Sequence, residues 1–164
     1  MSKKPSRKKS LNALLEYSFK KNWDRPALSN YNQETLYYKD VARKVAQLHI
    51  FFEACGIQPG DRIAVCSKNQ VNWAVSYLAA MTYGAVVVPI LHEFQPTNVA
   101  HLVTHCEARI LFIGDIIWRN MAEMELPGVE VIVTLSDLKV VRSVNPDAEA
   151  VMADLENRVQ ARYP

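Results

Sequence analysis

Two histidines, His101 and His105, stand four residues apart, the spacing at which side chains share one helix face and can grip one metal ion. The apolar set Val99, Leu102, Val103 and Cys106 defines the buried side of that helix. At about 100° per residue the two histidines point roughly 140 to 160° away from it, toward solvent. No Glu lies between them as the metalloprotease motif requires, and no third ligand is evident. The pair is therefore expected to face solvent, open at most to adventitious metal, and not to form a metal centre. His92 lies beside Glu93 just past an expected strand end, where a general acid could sit; a loop histidine is the commoner explanation. Lys68 also follows a strand end and could meet a phosphate. Yet G-x-G-x-x-G and G-x-x-x-x-G-K are both absent, and no glycine follows Gly128, so Lys68 reads as a surface lysine. Asp115 follows "LFIG" and precedes an apolar helical pattern, which favours a helix N-cap over a catalytic carboxylate. Cys55, Cys66 and Cys106 are odd in number, far apart and without a C-x-x-C. They read as buried thiols of a reducing compartment, and a cytoplasmic location is expected. No serine occupies a G-x-S-x-G elbow. Trp73, Tyr77 and Tyr83 belong to an apolar helical run and read as core, not as a stacking platform.

The elements that must position these residues can be followed along the chain. "QVNWAVSYLAAMTYGAVVVPIL", residues 70–91, carries no charge and is long enough to cross a bilayer. Its punctuation argues against a span. Asn69 can cap a helix over residues 71–83, Gly84 suits a left-handed C-cap, residues 85–88 read as a strand, and Pro89 ends it. Upstream, Ser10 caps a first helix with Leu11, Leu14, Leu15 and Phe19 on one face. "RPALS" and "ETLYY" form a β-hairpin around "NYNQ". A longer helix carries Val41, Val45, Leu48 and Phe52 as one stripe, and "QPGD" is a turn. Apolar strands then start at Arg62, Ala85, Arg109 and Val129, separated by helices near Val71, Thr97 and Asp115. Starts 20 to 24 residues apart leave room for a crossover helix, and continuously apolar strands fit a parallel sheet covered on both faces. A last helix over residues 147–162 has Ala148, Val151, Leu155 and Val159 on one side. A leucine-rich solenoid is excluded, since L-x-x-L-x-L is missing. The expected fold is α/β: an open, mostly parallel sheet flanked by helices and preceded by a small β-hairpin.

Charge is unevenly placed. The chain's net +2 arises in residues 1–9, where Lys3, Lys4, Arg7, Lys8 and Lys9 crowd together. Without these five the 164 residues hold 14 basic against 17 acidic, a net of −3. The body, residues 10–164, is thus mildly acidic and unsuited to nucleic acid. Residues 1–9 read as a basic, solvated, disordered tail, with contact to anionic lipid or RNA as the sharper alternative. No apolar segment follows as a secretory signal needs, and no transmembrane segment is expected.

Five segments come in a telling order: "LLEYSFKKNWDRPAL", "ETLYYKDVARKVAQL", "CGIQPGDRIAVCSKNQVNW", "YLAAMTYGAVVVPI" and "HCEARILFIGD". Over residues 11–135 they resemble the start of AMP-forming acyl-CoA synthetases, in the adenylate-forming superfamily that includes luciferases and peptide-synthetase adenylation domains. "GDRIAV", Asn69 with Trp73, and Tyr83-Gly84-Ala85 leading into Pro89 carry most of the likeness. "EFQP" and "PGVEVIV" look like the long-chain fatty acid branch. The resemblance implies an enzyme that takes ATP, Mg2+ and coenzyme A, with a carboxylic acid, such as a fatty acid, as substrate. A carboxylate would attack the α-phosphate to give an acyl-adenylate and pyrophosphate, and the coenzyme A thiol would then displace AMP. The family's Ser/Thr/Gly-rich phosphate loop, its aromatic and acidic ATP contacts, its hinge and its catalytic lysine lie beyond the matched region. The resemblance therefore carries no catalytic, cofactor-binding or metal-binding residue onto any position here. It implies a partial N-terminal portion of a larger adenylation domain, inactive alone, without a bound cofactor and prone to self-association, with peripheral membrane contact left open. The competing expectation is a complete, non-enzymatic α/β interaction module.

Overall fold

The computed structural model describes residues 10–163. The basic stretch read as a disordered tail lies outside them. The helix α1 (Leu11–Lys21) begins as expected, with the Ser10 hydroxyl accepting a hydrogen bond from the Ala13 backbone N–H at 3.2 Å. Its expected apolar face is only half realised. Leu15 and Phe19 turn inward, whereas Leu11 and Leu14 stay 53% and 47% exposed. The strands β1 (Pro26–Ser29) and β2 (Thr35–Tyr37) pair antiparallel as the hairpin.

Helix α2 (Tyr38–Ala54) follows at once, and the Asp40 carboxylate accepts from the Tyr37 N–H at 2.8 Å to close its first turn. Val41, Leu48 and Phe52 of its stripe are buried, joined by Ile50 and Phe51. Strand β3 (Arg62–Cys66), helix α3 (Val71–Tyr83), strand β4 (Val86–Ile90), helix α4 (Pro96–His105), strand β5 (Ala108–Ile113), helix α5 (Asp115–Arg119) and strand β6 (Val131–Thr134) complete the alternating pattern. The sheet order is β4-β3-β5-β6-β7, with the first four strands parallel. The antiparallel β7 (Lys139–Ser143) was not foreseen. A tight turn, with Leu138 at φ +54° and the Asp137 carboxylate holding the Thr134 hydroxyl at 2.8 Å, folds it back onto β6.

Alternate strand residues feed two cores. Ile63, Val65, Ile110, Phe112, Val131 and Val133 pack under α2, α3 and the C-terminal helices, while Ala64, Cys66, Leu111, Ile113 and Ile132 pack under α4 and α5. Three layers result, because strands buried on both faces need a helical cover on each.

Several boundaries depart from expectation. Pro89 does not end β4 but sits inside it, paired with Val65. The strand lies at the sheet edge, so the missing N–H interrupts no ladder. Its residues are accordingly not all buried: Val86 is 50% exposed. Asn69 is not the N-cap of α3; Gln70 holds that place without a side-chain bond. The cap is supplied from afar by Asn30 in the hairpin turn, whose side-chain oxygen accepts from the Val71 N–H at 2.9 Å. Gly84 does close α3 at φ +96°. Asp115 is not a cap either: Gly114 is the N-cap and Asp115 the first helical residue, where its charge favours the helix start. The last helix is broken into α6 (Ala148–Ala153) and α7 (Leu155–Arg162). At the break Asp154 accepts from the Asn157 and Arg158 side chains, and Ala148, Val151, Leu155 and Val159 all still reach the core.

His49 of α2 was missed in the sequence. Its Nε2 lies 3.1 Å from the Ala79 carbonyl and 3.0 Å from the Thr82 hydroxyl, and so clamps α2 to α3. Thr82 gives its own proton to the Leu78 carbonyl at 2.7 Å, so the histidine donates. Burial holds the His49 pKa below the ordinary histidine value, opposed by the Ala79 bond and Glu53 and reinforced by Arg162. A base with a lowered folded pKa is bound by a proton more readily when unfolded, so stability is lost as pH falls below about 6.5. The urea midpoint is expected to fall between pH ~7.5 and pH ~5.5, and His49→Gln should flatten that fall. An unchanged slope in the variant would assign the acid sensitivity elsewhere.

Candidate site at the carboxyl ends of the strands

In an open α/β sheet the ligand crevice lies where neighbouring strands send their connections to opposite faces. Here that place is between β3 and β5, and it is closed. The Gly114 N–H donates to the Cys66 carbonyl at 2.9 Å, and a Cβ on Gly114 would stand 3.2 Å from the Ser67 hydroxyl oxygen. The Ser67 side chain is itself occupied, donating to the Lys68 carbonyl and accepting from Gln70, each at 2.8 Å. A triphosphate has no cradle at this point.

The open space lies one strand over. A cavity of about 430 Å³ is bordered by Ser67, Asn69 and Trp73 on one side and by Ile90, Leu91, His92 and Glu93 on the other. Asn69 and Trp73 also border a broader depression of about 770 Å³ beneath the hairpin turn at Asn30 and Tyr31. Together they form one groove across the ends of β3 and β4. The Asn30 bond to α3 fixes the hairpin as its far bank, and the Asn72 amide, bonded to the Leu135 carbonyl at 2.8 Å, ties α3 to the end of β6. Trp73 stacks on Tyr77 with centroids 5.3 Å apart and planes at 16°. Trp73 and Tyr83 pack against the core as expected, but Trp73 also presents a face to the groove.

The residues singled out in the sequence are scattered. His92 enters the groove, half-buried, but its Nε2 is 4.0 Å from the Glu93 carboxylate, too far for the hydrogen bond that would orient a general acid. Lys68 is exposed at the rim. Asp115 belongs to another cluster, accepting from the Ser136 hydroxyl at 2.8 Å. His101 and His105 are exposed on α4, with rings stacked 6.0 Å apart, remote from the groove. No group of three His, Cys, Asp or Glu able to hold a metal occurs among the described residues. All three cysteines are free. Burial pushes Cys55 and Cys66 up to about 11 and raises Cys106, which is half-exposed and not buried as expected. None is a thiolate nucleophile near neutral pH. No helix of the described residues is long and apolar enough to cross a membrane.

The groove can therefore bind and orient a ligand through Trp73 and Leu91 and through polar groups at Asn69 and His92. It holds no nucleophile, oriented base or metal cage. The donor set does not fit a magnesium ion with its nucleotide, and no chemical step is assigned to these residues.

Comparison with known proteins adds what the groove alone lacks. The family described as AMP-binding enzyme matches residues 15–162. The chain is 27% identical over 103 residues to Surfactin synthase subunit 2 of Bacillus subtilis (strain 168), covering 63% of this chain and 3% of that protein. It is 28% identical over 78 residues to the Crotonobetaine/carnitine--CoA ligase of Proteus mirabilis (strain HI4320), covering 48% and 15%. Among solved structures, a long-chain-fatty-acid-CoA ligase (FadD1) from Archaeoglobus fulgidus superposes with a TM-score of 0.71 at 20% identity, over 88% of this chain and 29% of that one. The three-layer sheet and its hairpin thus form the fold of part of such proteins, and the chain spans only a small share of each.

Proposed function

Since the chain belongs to the AMP-binding enzyme family, we propose that it supplies the N-terminal scaffold of an adenylate-forming acid–thiol ligase, with the groove at the ends of β3 and β4 as one wall of its carboxylic-acid cleft. The family match over residues 15–162 is the observation that carries this reading. The overall reaction proposed is carboxylate plus ATP to acyl-adenylate and pyrophosphate, then transfer of the acyl group to coenzyme A with release of AMP. Magnesium would neutralise phosphate charge from ligands that are not on this chain. These residues bind and exclude water; the phosphate chemistry belongs to further sequence.

A fatty acid is the proposed substrate. The wall formed by Trp73, Ile90 and Leu91 suits an acyl chain, and "EFQP" and "PGVEVIV" support the same branch. The exposed β4 edge, with Val86 at 50% and Leu91 at 59%, would be covered by further parts of such an enzyme. Left bare, that edge would favour self-association of the isolated chain. The test is a carboxylate panel assayed for AMP and acyl-CoA formation on a longer polypeptide carrying these residues. Fatty acids are expected to be the preferred substrates. Release of ADP, or preference for an amino acid, would overturn the ligase reading or its substrate. In the same polypeptide Leu91→Asp is expected to lower kcat/KM for the acid roughly 10-fold or more, since a charge replaces apolar contact worth about 1–3 kcal/mol. Leu91 is exposed in the 164-residue chain, so the urea midpoint of that chain should not move, and an unchanged kcat/KM in the longer polypeptide would remove the groove from the cleft.

A further inference from the structure

We propose that a cavity between α1, α2 and α3 binds a small neutral phenol or apolar alcohol, with His49 accepting its hydroxyl proton. The cavity measures about 390 Å³, a size that suits a small molecule, and shares no residue with the groove at the strand ends. Its walls are apolar: Leu15 and Phe19 of α1, Ala42 and Val45 of α2, and Leu78 of α3. Trp23, just past the end of α1, also borders it and is still 47% exposed. Such walls favour a ligand with an apolar body, and the few polar groups decide what else it must carry.

His49 sets the main requirement. Its Nε2–H is committed to the Ala79 carbonyl and the Thr82 hydroxyl, so the neutral ring keeps its lone pair on Nδ1. Nδ1 has no hydrogen-bond partner among the described residues. Burial favours the neutral ring, and Tyr83, edge-on with centroids 5.4 Å apart, steadies it. The other polar groups are already engaged. The Thr82 hydroxyl donates to the Leu78 carbonyl, and the Asn12 amide donates to the Thr82 carbonyl at 3.2 Å. Lys20, the one cation among the described residues that line the cavity, is held by the Glu16 carboxylate at 2.5 Å. A carboxylic acid would therefore meet the Glu16 charge and the His49 lone pair with no free cation to answer it. A hydrocarbon would fill the walls and leave the acceptor unused. A hydroxyl on an apolar body satisfies both. This inference stands independently of the adenylation reading.

The test is a titration of the 164-residue chain with 4-propylphenol and with 4-propylbenzoate, followed in two-bond 1H–15N spectra of the histidine rings. The phenol is expected to bind with a Kd below roughly 1 mM, and the benzoate at least roughly 10-fold more weakly. The phenol should also move the His49 Nδ1 resonance upfield, as accepting a hydrogen bond does. Ala42→Leu narrows the cavity and is expected to weaken phenol binding roughly 10-fold or more, with a urea titration to show that the variant is folded. Glu16→Gln lies on the exposed side of α1 and should not disturb folding. It is expected to leave phenol binding within about two-fold and to raise benzoate affinity about two- to five-fold, since a repelling charge is removed and Lys20 is freed. No saturable binding of the phenol, benzoate binding as tight as the phenol's, or an unmoved Nδ1 resonance would overturn the proposal. Wild-type phenol binding by folded Ala42→Leu, or an unchanged benzoate affinity in Glu16→Gln, would do the same.

Discussion

Replacing Phe52 by alanine is expected to cost about 3–5 kcal/mol of stability. Phe52 is fully buried in α2, and its ring meets three others. Tyr83 of α3 lies at 5.5 Å and Phe112 of β5 at 6.1 Å, each at 73°, and Phe51 at 6.4 Å. One side chain thus joins a helix, its neighbour and the central sheet. Alanine would leave a void that strands fixed by parallel ladders cannot close, and the edge-to-face contacts would be lost with the buried area. A domain stable by about 5–15 kcal/mol can lose much of its margin this way. A urea titration should show a lower midpoint with an unchanged slope. Leu11→Ala, at 53% exposure, is expected to shift it by less than about 0.5 kcal/mol. Comparable losses in both variants would mean that α1, not the aromatic cluster, anchors the fold.

The second large effect is expected at the opposite end of the strands. Arg109 of β5 forms a two-pronged bond to the Glu130 carboxylate, both contacts at 2.8 Å, and also bonds the Asp61 carboxylate and, at 3.0 Å, the Gly56 carbonyl. It thereby joins the end of α2, the "QPGD" turn, β5 and the start of β6. Arg109→Met would leave two carboxylates facing each other without a cation. Removing one partner of a buried pair costs about 3–5 kcal/mol, and these side chains are 22–36% exposed, so about 2–3 kcal/mol is expected here. The pH dependence identifies the cause. The Asp61 carboxyl is held below its ordinary value, first by the Gln58 N–H and then by Arg109. A lowered carboxylate pKa contributes stability that is present above about pH 4 and is lost as pH falls through the folded value. The difference between wild type and Arg109→Met should therefore shrink as the pH is lowered from ~7 to ~3. A difference that stays constant would point to lost packing of the arginine stem.

The two sites also mark what the sequence makes legible. The parallel strands could be read because "RIAVC" and "RILFI" are continuously apolar after their first arginine, as a doubly covered sheet demands, and the Val41-Val45-Leu48-Phe52 stripe named the inner face of α2. What escaped were pairings between distant residues. Asn30 caps a helix 41 residues away, and Arg109 meets Asp61 across 48, and no local pattern encodes either. The strand β7 was missed because it is a sheet-edge strand with only two apolar residues, Val140 and Val141, between Lys139 and Arg142. At the site, the sequence has no glycine-rich loop, and the structure sets Ser67 and Gly114 in tight contact at the ends of β3 and β5. The groove itself was invisible, because Trp73, Asn69 and Leu91 look like ordinary helix and loop residues until the hairpin is placed opposite them.

ATP–pyrophosphate exchange by the purified 164-residue chain, assayed with magnesium and a panel of carboxylic acids that includes fatty acids, bears most directly on the proposal that these residues supply the cleft wall and not the phosphate machinery. No incorporation of labelled pyrophosphate into ATP above a protein-free blank is predicted with any acid. Acid-dependent exchange by this chain alone would contradict the account.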